Sequence, residues 1–470
     1  MNKLVNFIRN YYSWIIWLVA TMILSYFIVH NAQWLIGDDA IIIKKTGSGQ
    51  AFSIFDTINP EAGRFYPLAY YAYNILLLFN KGQISVEQHY ILVSIGFFIF
   101  SFFIFKLSKD ILSSFSLKKN VIDLISLLFS FMIIQRAYTT FSHVFSTIWF
   151  DYLLLIVFIF YTYQFLKTQK TYQAIISLLA ILYCVFCIEN IFILPISFGF
   201  LLLLFNFKHL SKKEKVFSYS LIAVGLFFLI IYYFVVYRHI IQAYDGSHGA
   251  GLSLVENAID MMLSQKLIIV AVIVYVFRLY MITAKNEKYN KFYDTMFLTG
   301  FAYTLGCFVL KLNWGMYYMI SVLYTGFPVL YFLHKYINPK YAAIIIVLIS
   351  AFYIRNFPKN IKTVQTNRFE TKSLIKTLEK YKNKNYEFVW RDEVFTSNNW
   401  DKTLSDWKKE SLSTVLSHEF RDKDFKFEKE SVAANILFFF PEEYKKYSLQ
   451  FINEENIISE KSGIIIGIKH

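Results

Sequence analysis

The sequence predicts an all-α polytopic membrane protein followed by a small C-terminal soluble α/β domain, and three observations carry that expectation. Of its 470 residues 56% are hydrophobic, 20% aromatic and only 17% charged, with a mean hydropathy of +0.43, well away from the composition of soluble domains. Apolar runs of roughly twenty residues recur from Trp14 to Tyr353, each long enough to cross a ~30 Å hydrocarbon core as a helix. From Phe357 onward these runs stop and charge alternates with short apolar clusters. A secreted enzyme, a cytosolic dehydrogenase and a nucleic-acid binder are excluded by this composition.

A hydropathy window of about nineteen residues marks spans at 14–35, 90–105, 121–135, 145–166, 172–188, 191–205, 217–237, 267–283, 293–310, 315–334 and 341–353. The first follows a short basic segment with Lys3 and Arg9. It is too long, and lacks the small-residue cleavage site, for a removable signal, so it reads as a signal anchor. The run 67–79 would reach under ~20 Å as a helix, which suits an interfacial element better than a span. In the tail, Leu374, Ile375, Leu378 and Tyr381 recur at helical spacing, and 386–390, 435–440 and 464–468 read as strands. The expected division is a membrane domain over residues 1–356 and a soluble α/β domain over 357–470.

The formal net charge of +14 sits mostly in short loops between apolar runs, where it reports orientation rather than a polyanionic partner. With 67–79 left on the outer side, one set of loops gathers Lys106, Lys109, Lys118, Lys119, Lys167, Lys170, Lys208, Lys212, Lys213, Lys215, Lys285, Lys288, Lys291, Lys335 and Lys340. That set is expected in the cytoplasm, with the N-terminus. The first loop, the loop 238–266 and the tail are expected outside. Cys184, Cys187 and Cys307 all fall in apolar runs, so the CxxC reads as two buried thiols rather than a redox or zinc motif.

On the outer side the polar residues are Asp38, Asp39, Lys44, Lys45, Glu61, Arg64, Arg136, His143, Glu189, Asn190, Arg238, Asp245, His248, Lys311 and Asn313. Asp38 and Asp39 follow Gly37 just past the first span. Two adjacent acids at a low-dielectric boundary compete for a proton, which suits general-base work, and one could act while the other orients a group or binds a divalent cation. Solvated acids at a helix exit are the competing account, although negative charge there opposes the helix dipole. Arg64, shortly before Pro67-Leu68, is expected beside the open N–H groups of a helix starting at Pro67, a phosphate pocket; simple reach of its side chain to headgroups would explain it equally. Glu189-Asn190 and Pro195 form a corner between two spans, where an ionisable residue is a functional candidate. Lys311 offers a further phosphate cation. His143 and His248, the latter in the glycine-rich stretch 245–251, complete the candidate substrate-binding set. There is no nucleotide-binding glycine motif, HExxH or GxSxG, so energy must arrive with an already activated substrate.

The acidic pair Asp38-Asp39 after the first span, the entry from Arg64 to Leu68 with two residues inserted before Pro67, and Glu189 six residues before Pro195 resemble the GT-C superfamily of membrane glycosyltransferases over roughly residues 14–355. The resemblance implies a polyprenyl-phosphate sugar donor. An Asp of the pair would serve as general base toward an acceptor hydroxyl, while Arg64 and Lys311 would hold the departing lipid phosphate, with inversion at the anomeric carbon. Some members bind a divalent cation through such acids. A bacterial inner-membrane enzyme adding a hexose such as glucose to O-antigen, lipopolysaccharide or another lipid-linked acceptor is the expectation by analogy. A polysaccharide polymerase or ligase would share these substrates but rely on outer arginines. A transporter would need repeated halves with broken helices, and no such symmetry is evident. Trp390, Trp400 and Trp407 in the tail could stack on sugars or pack a core.

Overall fold

In the computed structural model the described residues are 2–34, 39–46, 48–61, 63–79, 84–142, 148–241, 266–309 and 315–355, with isolated positions and short segments between 256 and 468. They form a polytopic helical bundle. The helices are α1 (Asn2–His30), α2 (Asp39–Thr46), α3 (Asn74–Phe79), α4 (Val86–Leu112), α5 (Lys119–Ser142), α6 (Ile148–Thr168), α7 (Thr171–Val185), α8 (Ile193–Asn206), α9 (Lys212–Val235), α10 (Lys266–Ala284), α11 (Tyr293–Val309), α12 (Gly315–Tyr336) and α13 (Pro339–Ile354). All except α2 and α3 coincide with the eleven expected spans. Six helical stretches among the described residues are each long and apolar enough to cross a bilayer, and 171–185, 269–284 and 339–354 are shorter apolar helices. Helices are the form a chain takes in lipid because each backbone N–H finds its carbonyl within the same segment.

Local chemistry sets the ends. Ser85 and Ser211 open α4 and α9 with capping boxes to Gln88 and Glu214, and Asn338 with Pro339 starts α13, each satisfying amides that the first turn leaves free. The first span ends at His30, earlier than the sequence suggested, because the Asn31 amide folds back on the Phe27 carbonyl at 3.0 Å.

Polar contacts gather at two opposite ends of the bundle, which fixes the alternation of the helices. At one end, rich in lysine, Lys109 pairs with Asp123, Lys291 with Glu214 at 3.0 Å, and Arg278 with Asp294 at 2.7 Å. At the other, the loop end, Leu68 N–H donates to the Phe186 carbonyl at 3.0 Å and Ile241 N–H to that of Glu61 at 3.1 Å. The segment 67–79 starts and finishes at the loop end, as its shortness required. It is a run of turns, a 3-10 turn at Tyr71–Tyr73 and then α3. Strands β1 (Ile58–Asn59) and β2 (Arg64–Phe65) pair antiparallel beside it.

In the tail, β3 (Phe388–Trp390), β4 (Phe425–Lys426), β5 (Ile436–Phe439), β6 (Ile457–Ser459) and β7 (Ile465–Ile468) form one sheet in the order β4-β3-β5-β7-β6. β3 runs parallel to β4 and β5, and β7 antiparallel to β5 and β6. Three of these match the expected strands; β4 and β6 are short enough to lack a readable pattern. The tail touches the bundle where Phe357 meets Tyr138 at 5.5 Å and His418 meets Trp34 at 6.0 Å, and Val415 joins the main core.

Candidate functional site

Two segments far apart in sequence meet at the loop end. Gly63, at φ +75°, turns the chain in a left-handed conformation that a Cβ disfavours. The turn sets Arg64 and Phe65 in β2. Phe65 is buried among Phe186, Phe228 and Tyr232, while Tyr232 Oη donates to the Gly63 carbonyl at 3.1 Å. From the corner after α7, Glu189 accepts the Phe65 N–H at 3.0 Å and stands 3.6 Å from the Arg64 guanidinium. Arg64 also lies over the Tyr66 ring at 4.9 Å. Its side chain is 35% exposed and that of Glu189 26%, so the pair faces an opening. Burial weakens the guanidinium's hold on its proton, but the Glu189 carboxylate, with Tyr66 and Tyr317 behind it, outweighs this and holds Arg64 above its ordinary pKa.

The expected phosphate pocket at a helix start is corrected. Residues 67–70 are turns, Leu68 N–H is used by Phe186 and Ala69 N–H by Tyr66 at 3.0 Å. The amides that would have faced an anion are thus already satisfied. Arg64 keeps its place at the opening without them.

Asp39 is fully buried and is the first residue of α2. The expectation that the acids close the first helix is corrected, since Asp39 opens the next one. Its negative charge there favours the helix dipole instead of opposing it. Asp38, His143, His248 and Lys311 lie outside the described residues, as do Trp400 and Trp407. Asn190 is buried, its Nδ2 donating to Tyr303 Oη at 3.0 Å and approaching Cys307 Sγ at 3.7 Å, which ties the corner to α11. Among the described residues no three His, Cys, Asp or Glu side chains gather to hold a metal ion, and Asp39 is the described member of the candidate ligand pair.

The bundle adds residues that the motif reading passed over. Asp151, in the first turn of α6, is fully buried, with Cys184 Sγ 3.8 Å from its Oδ1. Its Oδ2 has no hydrogen-bond partner among the described residues, and Glu189 lies within electrostatic reach. Its signal was present as an acid inside an apolar run. Cys184, Cys187 and Cys307 are free, buried thiols, as expected. Tyr317, in the first turn of α12, reaches Arg64 electrostatically, and Tyr152 reaches both Tyr317 and Arg136. Tyr152, an isolated tyrosine in an aromatic-rich chain, carries no signal that would have picked it out.

No family model matches the chain, and no curated protein matches it. Among solved structures it is similar to the crystal structure of ArnT from Cupriavidus metallidurans bound to undecaprenyl phosphate, with 9% identity, a TM-score of 0.45 and coverage of 97% of each chain. A likeness of that degree carries no argument about function.

Proposed function

We propose that this chain is an integral-membrane glycosyltransferase that moves a sugar, a hexose such as glucose, from a polyprenyl-phosphate carrier to a cell-surface glycan or lipid-linked acceptor on the extracytoplasmic face. The observation that carries the reading is the junction of Arg64 and Phe65 with Glu189, which joins two motif segments more than a hundred residues apart into one half-open polar site at the end of the bundle away from the lysines. The lysine bias supports an orientation with that end outside the cell and the tail as an extracytoplasmic domain.

In the proposed reaction a carboxylate of Asp38 or Asp39 takes the proton of an acceptor hydroxyl as its oxygen bonds to the anomeric carbon from the face opposite the lipid phosphate. The bond from that carbon to the phosphate oxygen breaks, and the phosphate leaves with the electron pair. Arg64, held by Glu189, and Lys311 offset the charge that develops on it. A divalent cation, if bound, would use Asp38 and Asp39.

The test is transfer of labelled sugar from undecaprenyl-phosphate donors to candidate lipid-linked acceptors by the purified chain. Asp38→Asn and Asp39→Asn together should abolish product, and full transfer by that double variant would remove the proposed base.

A further inference from the structure

Between α2 and β1 the chain makes a turn, 54–57, that presents two large apolar side chains outward. Phe55 is 73% exposed and its neighbour Ile54 44%. An apolar pair held open in this way marks a contact surface when it continues into a larger patch. The turn beneath it closes on itself. Asp56 N–H donates to the Ser53 carbonyl at 3.3 Å, while the Asp56 carboxylate accepts the Ser53 N–H at 2.8 Å and the Lys45 ammonium at 2.9 Å. Phe55 N–H donates to Ser53 Oγ at 3.2 Å and Ile58 N–H to the Phe55 carbonyl at 3.3 Å. With these donors spent inside the turn, its tip can enter a low-dielectric layer without stranding them.

Contacts on both sides fix where the tip stands. Phe52 is held by the Asn74 side chain at the start of α3, its N–H donating to Oδ1 at 2.7 Å and its carbonyl accepting from Nδ2 at 2.9 Å. Thr57 Oγ1 donates to the Tyr66 carbonyl at 2.8 Å. The β1–β2 hairpin that follows is tied through Glu61 and Gly63 to Ile241 and Tyr232, at the end of α9 where Tyr233 and Tyr237 are exposed. Exposed tyrosines at the end of a span are the mark of a membrane–water boundary. The tip is therefore tethered within a few residues of that boundary.

The apolar surface continues from the tip's anchor into the lipid face of the bundle. Tyr71, Ile75 and Leu78 recur at helical spacing and are exposed, Leu78 at 81%, whereas Tyr70, Tyr73 and Leu76 between them are buried. No charged residue occurs from Tyr66 to Asn80. α3 packs against α4, on which Ile91, Ile95 and Ile99 are exposed at four-residue spacing, a stripe facing lipid. An element facing water carries polar or charged groups on its open face. Here the open face is apolar and the charges, Lys45 and Asp56, stand at the base of the tip, the division expected where hydrocarbon lies beside headgroups.

We propose that Ile54 and Phe55 form a membrane hook, whose side chains insert among the acyl chains of the leaflet at the loop end and tether the hairpin that carries Arg64 to the bilayer as well as to the bundle. The hook depends on the bundle spanning a membrane and not on sugar transfer, so loss of either leaves the other standing.

Photolabelling of the full wild-type chain in phosphatidylcholine nanodiscs tests it without any substitution. A phosphatidylcholine bearing a diazirine on its acyl chain should leave adducts on a peptide covering 50–59, mapped by mass spectrometry, and a peptide free of adducts would overturn the hook. Depth is read on Phe55→Cys carrying a bimane label, with Glu61→Cys, exposed in the same loop, as reference; the native Cys184, Cys187 and Cys307 are buried. A nitroxide on the lipid acyl chain should quench the label at 55 several times more than aqueous iodide does, and the order should reverse at 61. Iodide quenching at 55 equal to that at 61 would place the tip in water, and a label at 55 reached by neither quencher would place a protein surface over it; both outcomes defeat the proposal. Ile54→Ser with Phe55→Ser should raise hydrogen exchange of the 50–59 peptide in the nanodisc about tenfold or more, since two large apolar side chains leave the hydrocarbon. Unchanged exchange in that variant would show that the pair holds nothing.

Discussion

Glu189 does two separable jobs, and two substitutions tell them apart. Glu189→Gln keeps an oxygen to accept the Phe65 N–H, now at 3.0 Å, and removes only the charge facing Arg64 at 3.6 Å across a partly exposed gap. A pair so open to solvent contributes about 0.2–1 kcal/mol. Glu189→Ala also strands the Phe65 N–H beside a ring that is 3% exposed, which costs about 1–3 kcal/mol more. Hydrogen exchange of a peptide covering 57–68, followed by mass spectrometry on the full chain in detergent, reads local opening. The Ala variant should open this loop roughly 30-fold more often and the Gln variant no more than about 5-fold. Equal exchange in the two variants would show that the hydrogen bond does not hold the loop, and the account of how Arg64 is positioned would fall with it.

At Gly96 an added Cβ would lie 2.4 Å from Trp149 Cζ3, so Gly96→Ala should push the indole off Tyr73 Oη, to which it donates at 2.8 Å. The expected loss is about 1–3 kcal/mol, read by thermal unfolding with a shift in tryptophan emission; an unchanged melting temperature would contradict the packing. Arg278 and Asp294 are both fully buried side chains, and Arg278→Met leaves the acid uncompensated at about 3–5 kcal/mol. Arg278→Met with Asp294→Leu should recover much of that loss in denaturant unfolding, and a double variant no better than the single would refute it. Burial alone would raise the Asp56 pKa, but the Ser53 N–H and the Lys45 ammonium reverse this and hold it below its ordinary 3.8. A lowered folded value means stability present above pH 3.8 and lost as pH falls through that lower value. Protease resistance of the first loop should therefore hold from neutral pH to about 4 and fall below it, and Asp56→Asn should flatten that profile.

The long apolar helices were legible because lipid imposes one rule on every segment: the backbone must satisfy itself, and only long apolar helices do so. The shortness of 67–79 and the loop distribution of lysine were legible for the same reason. Arg64 and Glu189 were readable as candidates from their local motifs, yet their pairing was not, since nothing near either residue indicates a partner more than a hundred positions away. Asp39 shows the limit of boundary reading. A side-chain cap at Asn31 ended α1 early and turned a supposed helix exit into a helix start. At Pro67 the ring suited a first helical turn, but the Phe186 carbonyl took the Leu68 amide and no anion pocket formed.

Sequence by itself determined a membrane bundle, the order of its long apolar helices, and which loops share a side, because hydropathy and charge act on each segment independently of its neighbours. Tertiary structure decided which polar residues share a site: that Glu189 meets Arg64, that Asn190 faces the α11 tyrosine, that Asp151 is sealed against Cys184, and that Arg136 lies over the Tyr353 ring of α13. These are contacts between helices, set by how side chains interlock across the bundle, and no single segment contains that information.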